Sequence, residues 1–352
     1  MTPLDLDLDE LGAALGDDQP PYRSRQVWRA LHQGRRPEEM TELPAGLRAH
    51  LAEVLPAGLR EITRRRADGG ETLKWLWALP GGGQVETVSM RYRDRLTVCV
   101  SSQAGCAMAC QFCATGHGGF AGQLSTGEIV EQVVAAQREA GTRRVTNVVF
   151  MGMGEPLANY DRVWAALRRL HGELGISARH LTVSTVGIVP GIRRMATEDL
   201  PVNLAVSLHA ANDELRDRLA PINRRYPLRE LTAACADYLV AKGRRLSFEW
   251  AVIDGVNDRP SDAAELAALT RPLGAHVNLI PLNPTPGGLA GGLSASPPER
   301  VRALAGWLGE LGVNATVRRN RGSDIDAACG QLAARDLPPA AAPPDSGGGV
   351  PD

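Results

Sequence analysis

The stretch LTVCVSSQAGCAMACQFCATG, residues 96–116, sets the reading of the whole chain. It opens as a short apolar, β-branched run, LTVCV (96–100), and passes at once into a loop with cysteines at 106, 110 and 113. From here a strand–helix rhythm sets in. The further strand-like runs are VTNVVFM (145–151), LTVST (181–185), VNLAVSL (202–208), LSFEWAVI (246–253) and HVNLIPL (276–282). Helical stretches separate them. One opens on the capping box Ser125-Thr126-Gly127-Glu128 and continues with Ile129, Val130, Val133 and Val134. Another carries Val163, Trp164, Leu167, Leu170 and Leu174 and stops at Gly175. Six such units with few polar strand positions predict an α/β fold, a parallel sheet covered by helices and curled into a partial (βα)6 barrel. In such barrels the chemistry sits at the C-terminal ends of the strands.

Outward from this core, residues 1–60 read as a small helical domain. Val27, Trp28 and Leu31 form one stripe, and Leu43, Leu47, Leu51 and Leu55 another. Residues 61–94 read as a small β linker region, in which TLKWLWALP (72–80) alternates like one strand of a hairpin between glycine turns. The barrel region is expected over 95–335. Its last helix runs from about Pro297, capped by Ser296, to Gly312, and the strand NATVRR follows. The Pro-, Ala- and Gly-rich tail, 336–352, is expected to be disordered.

The chain has 352 residues, 43% of them hydrophobic, and a formal net charge of −1. The length suits two domains or one barrel with additions. Overall charge neither favours nor excludes nucleic acid, and basic groups such as Arg64–Arg66, Arg224–Arg225 and Arg318–Arg319 read first as solvated element ends. No run of eighteen apolar residues predicts a membrane span, and the acidic start MTPLDLDLDE lacks the layout of a secretory signal. The cytoplasm is the expected location.

Three of the six cysteines fall within eight residues, Cys106, Cys110 and Cys113, which is poor spacing for disulfides and good spacing for a metal. Three thiolates hold three corners of a 4Fe–4S cube and leave the fourth iron open. An open iron can chelate S-adenosylmethionine and deliver the electron that cleaves it to a radical. Phe112 can shield the cluster or the adenine. The rival is zinc, with His117 as a fourth ligand. At the next strand end, Gly152 and Gly154 of FMGMGEP (150–156) permit close backbone approach, and Glu155 can accept from an ammonium group. Ser184, Ser207, His209 and Asn283 supply polar atoms at the same rim. Cys235, with Leu228, Leu231 and Leu239, fits the apolar face of a helix and reads as core.

With GMGEP, SLHA, NPTPGG and DIDAACGQL added to the cysteine loop, residues 20–335 resemble the RlmN/Cfr family of radical RNA methyltransferases. The resemblance implies a partial (βα)6 barrel with an N-terminal RNA-binding domain. It implies methylation of an adenosine ring carbon in large-subunit ribosomal RNA, and in some members transfer RNA. Two S-adenosylmethionine molecules are used per turnover, with an electron donor such as flavodoxin or ferredoxin. By the same resemblance Cys329 receives a methyl group, Cys99 takes the ring proton and pairs with Cys329 in a disulfide, and Glu86 is a proton acceptor. Gly154, Glu155, Ser184, Ser207, Leu208, His209 and Asn283 match S-adenosylmethionine contacts. Carbon 2 of adenine is the preferred target. A carbon 8 enzyme, a radical enzyme acting on a non-RNA substrate and a zinc-stabilised RNA-binding protein stand as alternatives. The chain departs from the family at Gly122-Gln123, where Arg-Asn is usual, and at His117, commonly Gln, which puts an RNA or loop contact in doubt.

Overall fold

The computed structural model describes residues 1–16, 18–56, 58–283, 292–318 and 321–332. The NPTPGG motif beyond Asn283, Arg319 and the tail 336–352 therefore lie outside the described residues.

Three helices open the chain, α1 (Leu8–Leu15), α2 (Tyr22–His32) and α3 (Ala45–Val54). The stripes read from the sequence face inward: Val27, Trp28, Leu31, Leu43, Leu47, Leu51 and Leu55 are buried in one core with the rest of the molecule. Three strands follow, β1 (Arg60–Ala67), β2 (Thr72–Ala78) and β3 (Gln84–Arg91), and then β4 (Leu96–Cys99). These four run antiparallel to one another in chain order. The short strands β5 (Gln103–Gly105) and β6 (Phe120–Gln123) form a separate hairpin, joined through the small helix α4 (Ala114–His117). Beyond it α5 (Thr126–Ala140) and β7 (Asn147–Phe150) begin the repeating units. These continue as α6 (Tyr160–Gly172), β8 (Leu181–Thr185), α7 (Val189–Thr197), β9 (Asn203–Ser207), α8 (Asp213–Leu219), α9 (Leu228–Lys242), β10 (Leu246–Val252), α10 (Pro260–Thr270), β11 (His276–Pro281), α11 (Pro298–Glu310) and β12 (Ala315–Val317).

The six strands read from the sequence stand where expected, β8 with the same bounds and the others trimmed by one to three residues. From β4 through β7, β8, β9, β10 and β11 to β12 all pairings are parallel, and the ten-stranded sheet is an open series from β1 to β12. This is the partial barrel, with the antiparallel strands β1–β3 added beside β4. Residues 72–77 do not alternate in burial. They are buried throughout, because both faces of β2 are covered.

Ser125 caps α5 with the capping box read from the sequence. Ser296 is no cap: α11 starts with Pro297 as N-cap and Pro298 inside, and Ser296 Oγ donates to Asp258 at 2.8 Å. A first-turn proline lacks the N–H that a side-chain cap would satisfy. No helix among the described residues is long and apolar enough to cross a membrane.

One buried side chain fixes the point at which β4 becomes loop. Gln132 of α5 accepts from Ser101 N (2.9 Å) and Thr87 Oγ1 (2.8 Å), and donates to Ser101 O (3.0 Å) and Glu128 O (3.2 Å). Substituting Gln132→Leu orphans the Ser101 backbone on both sides, at a cost of about 1–3 kcal/mol per unsatisfied group. Denaturant unfolding is expected to show a loss of that order, and an unchanged midpoint would contradict this assignment.

Candidate active site

The cysteine loop is held by its own hairpin and by two neighbours. Cys106 N donates to Gly119 O at 2.8 Å, Gln111 N to Leu219 O at 3.0 Å, and Ala114 N to Gly330 O at 2.8 Å. Gly105 has φ +75°, and a Cβ there would stand 2.0 Å from Gly119 O, so this crossing admits only glycine. Ala109, between the first two cysteines, also takes a left-handed conformation, φ 52°. A non-glycine residue there carries strain of the kind stored in ligand-holding loops. Gln123, one of the departures from the family, accepts from Gln103 Nε2 and donates to Ala158 O, each at 2.9 Å, and so braces the hairpin. His117 is turned to the Gln111 carbonyl, 3.1 Å away.

The next strand end packs directly on this loop. Gln103 Oε1 accepts from Glu155 N at 2.7 Å. A Cβ on Gly154 (φ +99°) would meet Gln103 Cβ at 2.5 Å, and one on Gly152 would meet Val100 O at 2.6 Å. Both glycines thus permit chain to approach chain, a different use from the ligand approach read from the sequence. Glu155 also has protein partners: its Oε1 accepts from Leu157 N (3.0 Å) and its Oε2 from Val186 N (2.8 Å). Burial pushes its carboxyl up to about 7 despite these bonds.

These pieces line a cavity of about 160 Å³ that opens to solvent. Cys106, Cys110, Cys113, Gly154, Glu155, Ser184, Ser207, His209, Asn283 and Cys329 all line it. Leu208 does not. It is fully buried and contributes backbone, its N donating to Glu249 O (3.0 Å) and its O accepting from Arg216 Nε (3.1 Å). His209, with φ 59°, accepts from Ala251 N through Nδ1 at 2.9 Å. Burial, aided by Arg216, holds it neutral with a pKa lowered to about 3, so its proton is on Nε2. That Nε2 has no partner among the described residues. The Phe112 ring lies 4.0 Å from the His209 ring, at the cavity wall. Glu249, which sequence reading missed, lines the cavity as well. Its Oε1 accepts from Ser247 Oγ (3.0 Å) and Asn278 Nδ2 (2.8 Å), while Oε2 has no partner among the described residues.

Among the described residues no three His, Cys, Asp or Glu side chains converge on one metal ion. The three thiols instead share the wall of the cavity. Burial pushes Cys106 up to about 11 and Cys110 well above the ordinary thiol range. Thiolates in so dry a wall require a cationic group between them, which suits an iron–sulfur core and three thiolate ligands. The unpartnered Glu249 oxygen and His209 N–H offer an acceptor and a donor to a polar organic ligand beside it.

Cys329 also faces a second, smaller cavity, which it shares with Cys99, Arg318, Arg321, Tyr92 and Met151. The structure holds all six cysteines as free thiols, so Cys99 and Cys329 are not bonded to each other. Burial first, then the neighbouring Cys329, pushes the Cys99 thiol up to about 12. Beside them Arg318 is held above its ordinary value, chiefly by Cys329. Glu86 lines neither cavity. It is buried against Lys74 (2.9 Å), whose Nζ donates onward to Asp326 O at 3.3 Å, behind the Cys329 loop. The loop is pinned elsewhere: Gly322 N donates to Asp68 (3.1 Å), Asn283 Nδ2 to Cys329 O (3.0 Å) and Thr115 Oγ1 to Leu332 O (2.6 Å). Any swing of this loop must first release these ties.

The Radical SAM superfamily pattern matches residues 100–267, the span from the cysteine loop into α10. Fold and site therefore define a radical S-adenosylmethionine protein. A solved structure described as a radical SAM methyltransferase from Sphaerobacter thermophilus superposes with a TM-score of 0.90. It is 49% identical and covers 95% of this chain and 99% of its own. A relative from Parafrankia sp., named "Probable dual-specificity RNA methyltransferase RlmN", is 55% identical over 84% of this chain and 80% of its own length. Another of that name from Chloroflexus aurantiacus is 50% identical over 94% and 92%. The chain belongs to the RlmN family of radical S-adenosylmethionine enzymes. The family implies a 4Fe–4S cluster and S-adenosylmethionine, and the thiol-lined cavity fits both.

Alkylation needs a thiolate. At about pH 8, iodoacetamide is expected to label half-buried Cys329 and spare Cys99, whose thiol titrates only near 12. Equal labelling of the two peptides by mass spectrometry would contradict the burial argument.

Proposed function

We propose that this chain methylates a ring carbon of adenosine, carbon 2, in large-subunit ribosomal RNA and in transfer RNA, through a methyl-cysteine intermediate on Cys329. The observation that carries the reading is the position of Cys329, which borders the cavity of the cluster cysteines on one side and the Cys99 pocket on the other. Relatives named as dual-specificity RNA methyltransferases support RNA as the substrate. An adenine ring carbon has no lone pair to attack a sulfonium, so a radical route is the physical answer.

The cluster, held by Cys106, Cys110 and Cys113, and S-adenosylmethionine together supply a carbon radical strong enough to remove hydrogen from a methyl group. The protein's own residues do the rest. Cys329 takes the methyl group on sulfur and carries its carbon to the adenine. Cys99, a neutral thiol in its buried pocket, first gives its proton to a base. Its thiolate then takes the ring proton while the radical adduct gives up one electron to a one-electron acceptor. That proton passes to the transferred carbon as Cys99 bonds to Cys329, which breaks the sulfur–carbon bond and frees the methylated product, and a thiol-type two-electron reductant reopens the disulfide. Arg318 offers both sulfurs a fixed positive charge. Glu86, with Lys74 as counter-ion, is the acceptor for the displaced proton behind this pair. Glu155 ties the GMGEP loop to β8, while Gly154, Ser184, Ser207, His209, Asn283 and Glu249 form the seat for S-adenosylmethionine, with Leu208 behind them as backbone support. Two such molecules are consumed per turnover, one giving the methyl group and one the radical, with flavodoxin or ferredoxin as electron donor and the cytoplasm as the setting. The RNA must offer an unstacked adenosine, because a base within a helix cannot reach the cavity.

Anaerobically reconstituted protein, given S-adenosylmethionine, a one-electron reductant and either RNA, is expected to yield 2-methyladenosine on nucleoside mass spectrometry. Cys329→Ala is expected to abolish methylation while 5′-deoxyadenosine still forms. Methylation that survives in the variant would overturn the cysteine route, and 8-methyladenosine would move the target carbon.

A further inference from the structure

Arg216 stands on α8 with no exposed surface. Its guanidinium meets only neutral acceptors: Nε donates to Leu208 O (3.1 Å), Nη2 to Val186 O (2.6 Å) and Ser207 O (3.2 Å), and Nη1 to Asn223 Oδ1 (2.9 Å). Asp213 and Asp217 are one step removed, since their carboxylates accept from Asn223 Nδ2 at 2.9 and 2.7 Å. A buried cation without an ionic partner is costly, of order several kcal/mol. Burial brings its pKa down to about 10, which leaves it charged at neutral pH.

The cluster loop lies against the same turn of chain. Ala220 N donates to Arg216 O at 2.8 Å, Ala220 packs with Val186 and Cys110, and Gln111 N donates to Leu219 O at 3.0 Å. The guanidinium itself reaches this contact, since Nη2 holds the carbonyl of Val186, whose side chain packs with Cys110. A 4Fe–4S core with three thiolates is an anion that gains one more negative charge on reduction. In a dry interior a fixed positive charge stabilises that added charge, and local charge is one of the levers that set cluster potentials.

We propose that Arg216 is a positioning residue whose buried charge raises the reduction potential of the cluster on Cys106, Cys110 and Cys113, bringing it within reach of a low-potential one-electron donor. This rests on the cluster reading above. The donor gives one electron to the cluster, and Arg216 itself gains and loses nothing. The same guanidinium fixes the strand-end carbonyls of Val186, Ser207 and Leu208, a task that lysine, lacking the planar fork, performs poorly.

The test is an anaerobic redox titration, followed by electron paramagnetic resonance, of reconstituted wild type, Arg216→Lys and Arg216→Gln, without S-adenosylmethionine or RNA. Iron and sulfide are assayed first. A wild type without a four-iron cluster would sink the cluster reading itself, and this inference with it. With the cluster present, Arg216→Gln is expected to titrate at a more negative potential, and Arg216→Lys close to wild type. Equal potentials in all three overturn the inference alone. If the Gln variant fails to hold iron, a second neutral variant, Arg216→Met, decides: a more negative potential supports the charge role, and a wild-type potential refutes it. Loss of iron from both neutral variants assigns Arg216 to folding and overturns the proposal.

Discussion

The constraint on which the molecule depends is a parallel sheet that curls without closing. Parallel strands joined by helices present all their C-terminal ends on one rim. That rim collects the cysteine loop after β4, the GMGEP loop after β7 and the polar ends of β8, β9 and β11. Because β12 ends the sheet instead of pairing back to β1, the chain after it is free to cross the opening and carry Cys329 to the cavity. Cys99 waits there at the end of β4, so two thiols 230 residues apart in sequence meet across the unclosed side.

The site is built as a dry chamber that stays nearly uncharged until its ligands arrive. Burial raises the thiols of Cys99, Cys106 and Cys110 and the carboxyl of Glu155, and lowers His209. Each shift disfavours the charged form, as desolvation must. Fixed positive charge is supplied at two points, by Arg216 under the cluster loop and by Arg318 beside the cysteine pair. The polar groups that face the cavity are held from their other side, His209 by backbone and Glu249 by the side chains of Ser247 and Asn278. His209 and Glu249 each spend one atom on the scaffold and leave another for a ligand, which is how orientation is fixed before binding.

Much of this was legible in the sequence, and the failures share a cause. The six strands of the barrel are continuous apolar runs because both faces are buried, and Ser125 caps a helix with partners three residues away. Cys235 was legible as core, since a period of 3.6 puts it beside Leu231, and it is fully buried. Strand β1, REITRRRA, was not legible. It is an edge strand whose Arg64 and Arg66 pair with Glu139, more than seventy residues on. Lys74 and Arg216 look like solvated positions as well, because Glu86 across a hairpin and the carbonyls of Val186, Ser207 and Leu208 meet them only once the chain has folded. Gly152, Gly154 and Glu155 were found by motif, yet the structure spends them first on joining two loops. Local sequence gives the residue type a site needs, and only the topology shows what that residue touches.

The central claim is that Cys329 carries the transferred carbon. It is tested most directly with S-adenosylmethionine bearing a trideuterated methyl group, by following the Cys329 peptide and the RNA product over a single turnover. This account predicts label on Cys329 first, and then a methyl group in the RNA that has lost one deuterium to the radical step. An RNA methyl that keeps all three deuterium atoms, with Cys329 never labelled, would contradict it.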